Sequence, residues 1–456
     1  MSHFINHRLN QFSWAVAALL MLPLLFTKGM FFDGLTYATI ARNLEEGVGS
    51  FWAPHYTPYI HPTFFEHPPF SFGLHSFFYR LFGDQPWVDR IYPYTMYGLS
   101  ILMLRRIWTL FIPAGHRAWI PQLLWTITPT VMWVHQNNML EAPLNTAVLA
   151  VVWLLIEGTF KRNYFWSALA GVAFFIAVGI KGPVGLFPIV TLPLLAVFFP
   201  EHRKSAFVSL FTMVVVFSAL FSYFYIYQPD FQKFFNGYLD RQLLPTLSGE
   251  REQSGSAMMS LLEILKQLAI PMLVLAILTI RRKSLYSLRK ETIFFFLIAL
   301  SGTLPFFFMD RQHHYYFMPA MVFWMLGFAM LFEQNDWPWT IQRKRWVKRL
   351  TIANLSLWVV AIGLSLYYSK SPSRDKHTIK ALTEISKLYP QSHIQVNQLE
   401  LQWKLSAIGA RYNKLYFSNA EQRLYLTQSE ENAPEGFELV EEFEKAKLKL
   451  YKKATP

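Results

Sequence analysis

Cysteine is absent from the 456-residue chain, which excludes disulfides, thiolate metal sites and cysteine nucleophiles and leaves the redox compartment open. Charge is scarce. Asp, Glu, Lys and Arg make up 16% of the residues, against about a quarter in a soluble domain. No internal repeat is visible, and the two halves lack the matched pair of interrupted apolar segments that mark transporters built from inverted repeats. What is present is apolar: 53% of residues are hydrophobic and 17% aromatic, with 42 Phe and 15 Trp. Such proportions suit lipid-facing helices and interfacial belts, so the chain reads as an integral membrane protein. A net charge of +13 taken alone would suggest nucleic acid. Lys and Arg instead gather in short loops between apolar runs, the pattern of positive-inside topology, and nucleic acid is not expected as a partner.

Apolar segments run near residues 12–31, 91–112, 118–135, 143–158, 164–180, 183–200, 206–227, 257–280, 292–308, 315–332 and 350–368. At about 20 residues per crossing, this predicts an all-α polytopic protein of about 11 transmembrane helices. The first segment is too long for a cleavable signal and is expected to stay as an anchor. With the N-terminus in the cytoplasm, Arg8, Arg105, Arg106, Arg117, Lys161, Arg162, Arg203, Lys204, Arg281, Arg282, Lys283, Arg289, Lys290 and the "RKRWVKR" run from Arg343 to Arg349 remain inside. The C-terminus is then outside, which is the periplasm if the cell is a Gram-negative bacterium. Two long loops, 33–90 and 228–256, face the same way. Residues 1–368 form the expected membrane domain, with 31–90 as its functional loop. After the linker "SKSPSRDK", residues 370–456 are expected to form a small outward-facing α/β domain. Thr378 to Leu388 has helical spacing, and "HIQV", "KLYF", "RLYL" and "KLKLYKK" read as strands.

The first loop opens with "FFDGLTYATIARNLEEG", residues 31–47. Tyr37, Ile40, Ala41 and Leu44 form a helical apolar stripe that could lie on the membrane surface. Asp33 is placed to cap that helix, Asp-Gly being a common turn, and a cap can also face a cavity. Further on, "FWAPHYTPYIHPTFFEHPPFSFGLHSFFYRLFG" interleaves aromatics and prolines with Glu66 and His67. A second amphipathic helix is expected to open at Pro68 and Pro69.

In this order the motifs resemble the first periplasmic loop of lipid-dependent GT-C glycosyltransferases. The branch is that of the protein O-mannosyltransferases and the lipid A aminoarabinose transferases. The resemblance is dense over residues 28–90, thinner to about Pro319, and does not cover the C-terminal domain. It implies transfer of a sugar from a polyprenyl (undecaprenyl) phosphate carrier to a lipid, glycan or protein acceptor at the outer face of a bacterial inner membrane. Asp33 would be the general base, a role helped by partial desolvation of its carboxylate. Two departures stand out: many relatives have Asp-Glu where Asp33-Gly34 stands, and the aminoarabinose transferases typically have Lys where His67 precedes Pro-Pro. Histidine can still donate to the carrier phosphate, with more pH dependence, or can be an ordinary interfacial residue. Glu66 matches an acid found in part of the family.

Three other segments carry outward-facing polar groups. In "WVHQNNMLEAPLNTAV", Glu141 resembles the acid of the family's "D.PL" element, although a carboxylate is also favoured by a helix dipole there. In "AVGIKGPVGLFPI", Lys181 stands in a Lys-Gly-Pro setting also seen in the family and is expected to pair with the carrier phosphate, interface snorkelling being the alternative. In "FMDRQHHYYFMPAM", Arg311, His313, His314, Tyr315 and Tyr316 resemble the region that holds the donor. No cofactor is required, and a divalent metal held by His313 or His314 with Glu66 or Glu141 is left open; adjacent helical residues point apart.

A reading from another class is a polytopic transporter or lipid flippase, which would place its acids and broken helices near the bilayer midplane. Here the distinctive acids sit at the rim. A glycan ligase or polymerase would keep the mechanism and change the acceptor.

Overall fold

The computed structural model describes residues 2–112, 117–248, 255–282, 288–309, 311–334, 344–429 and 434–454. Lys283 and Arg343, used above to orient the chain, and residues 249–254 of the second long loop lie outside the described residues.

The membrane part opens with α1 (Ser2–Leu25), and the first long loop carries α2 (Phe32–Glu45), the two-residue strands β1 (Gly49–Ser50) and β2 (Ala53–Pro54), and α3 (Phe70–Phe82). There follow α4 (Val88–Phe111), α5 (Trp119–Thr126), α6 (Pro129–Gln136), α7 (Glu141–Lys161), α8 (Tyr164–Lys181), α9 (Thr191–Phe198) and α10 (Arg203–Tyr227). The second long loop holds α11 (Pro229–Tyr238) and α12 (Leu244–Leu247), and α13 (Ala257–Arg282), α14 (Lys290–Thr303), α15 (Met318–Gln334) and α16 (Lys344–Tyr368) complete the bundle. Helix α7, apolar on every face, lies at its centre against α4, α8 and α15.

Eight helical stretches among the described residues are long and apolar enough to cross a membrane, so the chain is a multi-pass membrane protein. The difference from the eleven expected segments has three causes. Segment 118–135 is split into α5 and α6, because Pro129 lacks an N–H and holds Thr128 extended at φ −69°, ψ 119°. Helix α4 is continuous but carries Asp89, Arg90, Arg105 and Arg106. Segments 164–180 and 183–200 join into one helical stretch, Tyr164–Phe198, through a 3-10 turn at Gly182–Val190. That stretch doubles back. Gly182 adopts φ +60°, and Phe199 reaches Phe111 and Phe160 at 5.8 and 5.5 Å, at the opposite end of α7 from Glu141.

The tail folds as α17 (Lys376–Leu388), β3 (His393–Gln395), α18 (Leu399–Asn413), β4 (Tyr416–Ser418), β5 (Leu424–Gln428), β6 (Phe437–Phe443) and β7 (Leu448–Lys453). The mixed sheet has the order β4-β3-β5-β7-β6, with β3 parallel to β4 and β5, and β7 antiparallel to β5 and β6. Its elements include the helix and four strands read from the sequence, and add α18 and β6.

Helix α2 does not lie on a membrane surface. Ile40 and Ala41 are buried with Tyr56, Phe64 and Phe72 of the loop, while Leu35 and Met30 join the core of the C-terminal sheet with Leu382 and Leu405. Protein therefore covers both sides of the helix. The exposed apolar stripe of this loop belongs to α3, as Leu74, Phe77 and Leu81.

Buried ion pairs fix the C-terminal domain above the loop. Arg411 of α18 donates to both oxygens of Asp89, at 3.0 Å from Nε and 2.7 Å from a terminal nitrogen, and to Asp84 at 2.7 Å. Tyr79 donates to the same Asp89 carboxylate. In return, Arg42 of α2 donates to the carbonyls of Ala410 and Arg411 at 2.9 and 3.2 Å, satisfying acceptors that the end of α18 leaves open.

Candidate active site

Asp33 is the second residue of α2, two positions beyond where a cap would stand. Phe31 holds the cap position and no side chain closes it, so Asp33 is not the expected N-cap. The helix starts early because the Phe31 N–H is satisfied by Asn137 Oδ1 at 2.8 Å and its ring packs against Trp133 at 5.3 Å. A carboxylate in this first turn still benefits from the helix dipole. Gly34 explains the absence of a second acid: a Cβ there would lie 1.8 Å from the Asn137 carbonyl oxygen.

Asp33 opens onto a cavity of about 400 Å³ whose walls also include Glu66, His67, Lys181, Arg311, His313 and Tyr315. Eight of the ten residues singled out in the sequence, Tyr316 among them, thus meet in one space. Burial pushes the Asp33 carboxyl up to about 6, the Glu141 charge adds to the rise, and Lys181 and Arg311 oppose it. A group with that affinity can both take and release a proton near neutral pH.

The other two stand behind the wall. Glu141, only 1% exposed, accepts a hydrogen bond from Lys181 through Oε1, while Oε2 has no partner among the described residues. Lys181 also lies 4.7 Å from the ring centre of Tyr316 and 5.9 Å from that of Tyr315. Its charge is thus matched on one side by a buried acid and bordered by aromatic faces. His314 turns away to pack on Trp133 at 4.8 Å, whereas His313 stacks on Tyr315 at 5.2 Å. Burial, then the nearby His314, Arg311 and Lys181 charges, lowers the affinity of His313 for a proton. Among the described residues no three histidine or acidic side chains are grouped to share a metal.

A second cavity of about 170 Å³ adjoins the first. It shares His67, Lys181, Gln242, Arg311 and Tyr316 and continues between Pro183, Val184, Leu243, Phe306 and Met309. The polar end faces Asp33's cavity and the far end is apolar.

Sequence reading missed His61, Gln242 and Trp403, which complete the walls. Gln242 arrives because Trp52 packs on Phe231 at 4.7 Å and Phe65 on Phe234 at 5.8 Å, folding the second long loop onto the first. Trp403 comes from α18 and lies 5.7 Å from the His61 ring. The sequence carried no signal for Trp403, which lies beside other exposed residues on α18.

The family described as dolichyl-phosphate-mannose-protein mannosyltransferase matches residues 66–227, a segment that excludes Asp33. No curated protein matches the sequence. Among solved structures, ArnT from Cupriavidus metallidurans bound to undecaprenyl phosphate aligns with a TM-score of 0.67 at 15% identity, covering 98% of this chain and 98% of that one. Its apo form aligns with a TM-score of 0.65 at 14% identity, over 96% and 97% of the two chains. The resemblance to lipid-dependent GT-C glycosyltransferases read from the motifs therefore holds, in sequence across residues 66–227 and in fold over nearly the whole chain.

Proposed function

We propose that the chain is a glycosyltransferase that moves a sugar from a polyprenyl phosphate carrier to an acceptor, with Asp33 as the general base. The observation that carries this reading is the joining of two spaces: an aspartate-bearing polar cavity opens into a mostly apolar groove, with Lys181, Arg311 and His67 at the junction. A prenyl chain suits the groove, and its phosphate suits the cationic junction. The anomeric carbon would then project toward Asp33. Asp33 takes the proton from the acceptor hydroxyl or phosphate as its oxygen bonds to that carbon; the carbon–oxygen bond to the carrier breaks, and the carrier phosphate leaves with the electron pair beside Lys181 and Arg311. One displacement inverts the anomeric centre. Glu66 borders the acceptor side, and Glu141 holds Lys181 in place. No metal is required in this scheme, so EDTA should leave the rate unchanged.

The distribution of Lys and Arg supports an N-terminus inside and a cavity on the outer side, and the resemblance to lipid-dependent glycosyltransferases supports a bacterial inner membrane. The acceptor spans lipid A, other glycans and protein. The test is native mass spectrometry of gently purified protein, paired with a transfer assay on reconstituted enzyme. Wild type should carry a polyprenyl phosphate or its sugar conjugate, and Lys181→Ala with Arg311→Ala should lose it. Carrier retained equally by both would refute the donor site.

A further inference from the structure

A separate pocket of about 380 Å³ lies between the ends of α1 and α16 and the loop before α4. Its walls are Phe26, Lys28, Gln85, Trp87, Lys370 and the Ser369–Pro372 turn, with no carboxylate among them. Its height is set by its neighbours. Phe26 follows directly on the apolar stretch Phe4–Leu25 and Ser369 on Arg345–Tyr368, and those two helices pack along one another. The pocket therefore opens at the membrane boundary, on the side of the bundle that holds Asp33.

We propose that this pocket binds the phosphate headgroup of an anionic phospholipid from the adjoining leaflet. Lys28 reaches the ring of Tyr412 at 5.4 Å, and neither it nor Lys370 forms an ion pair among the described residues. Phe26 is half exposed, and together with Trp87 it supplies the amphipathic rim that membrane interfaces favour. Two ammonium groups, the Ser371 hydroxyl and the Gln85 amide offer donors to phosphate oxygens, while Phe26 faces the acyl chains. Burial, then the Arg411 charge, disfavours the protonated form of Lys28, and an anion seated beside its ammonium group would offset both.

The test is native mass spectrometry of the full chain supplied with equal phosphatidylglycerol and phosphatidylcholine. Wild type should retain one phosphatidylglycerol in preference to phosphatidylcholine. Lys28→Ala with Lys370→Ala should weaken that retention about thirtyfold, the size expected of two basic groups at a membrane surface. Lys28→Arg with Lys370→Arg should restore it, which separates lost charge from lost folding. Equal retention of both lipids, no change in the alanine pair, or displacement of the lipid by excess inorganic phosphate would each overturn the proposal.

Discussion

Arg411 of the C-terminal domain and Asp89 of the first long loop form a bidentate ion pair in which the side chains are 2% and 0% exposed. Removing one partner leaves a buried charge without compensation. Arg411→Ala should therefore destabilise by about 3–5 kcal/mol, more than an exposed ion pair could account for. Thermal unfolding and limited proteolysis would check it: the domain should be released first. Arg411→Lys should rescue little, because lysine cannot reproduce the fork that grips both oxygens.

Asp33→Asn should reduce transfer by about 10²–10⁴-fold, the usual contribution of a general base. In wild type, kcat/KM should rise through a pH near 6 and level off above it, since the base must be ionised. Stability has the opposite sign. The folded carboxyl binds its proton more tightly than the unfolded one, so the group costs stability as pH rises from 3.8 past 6. The asparagine variant should accordingly melt at a higher temperature than wild type at pH 7 and show no such advantage at pH 4. A variant that is inactive and less stable at pH 7 would argue against this account.

Glu141 and Lys181 should move that pH profile in opposite directions. Glu141 raises the proton affinity of Asp33 and Lys181 lowers it. Glu141→Gln should shift the acid limb to lower pH and Lys181→Met to higher pH, each on the order of half a unit. A shift in the same direction for both would contradict the arrangement.

Gly34→Ala would press a methyl group into the Asn137 carbonyl, which belongs to the turn between α6 and α7. Relief requires α2 to move and Asp33 to move with it. The expected cost is about 1–3 kcal/mol, with a larger fractional loss in kcat than in acceptor KM, readable from steady-state kinetics.

Trp403→Ala should raise the acceptor KM about tenfold and leave carrier binding unchanged, since its ring faces His61 across the cavity from Arg311's groove. Separate titrations of donor and acceptor would distinguish this from a general loss of structure.

These residues also mark how far the sequence could be read. Asp33, Lys181 and Arg311 were legible because a carboxylate or cation at the edge of an apolar run is costly unless it has a task. The break after α5 (Trp119–Thr126) was missed although Pro129 marks it, because length favoured a single crossing over 118–135. Trp403 was hidden for a different reason. Its helix pairs Leu405 and Ala407 with Gln402 and Ser406, all buried, so its pattern does not alternate as a simple amphipathic helix would. Contacts made across hundreds of residues, those of Arg42, Arg411, Met30 and Leu35 among them, bring it to the cavity.

That long-range closure gives the reaction chamber a late completion. The wall holding Asp33 is synthesised near the start of the chain, and the Trp403 wall close to the end. Until α17 and α18 fold onto the first long loop and are locked by Arg42, the chamber lacks a side and Asp89 lacks the Arg411 counter-charge. Under the proposed function, an unfinished chain would thus be spared from spilling activated sugar into water.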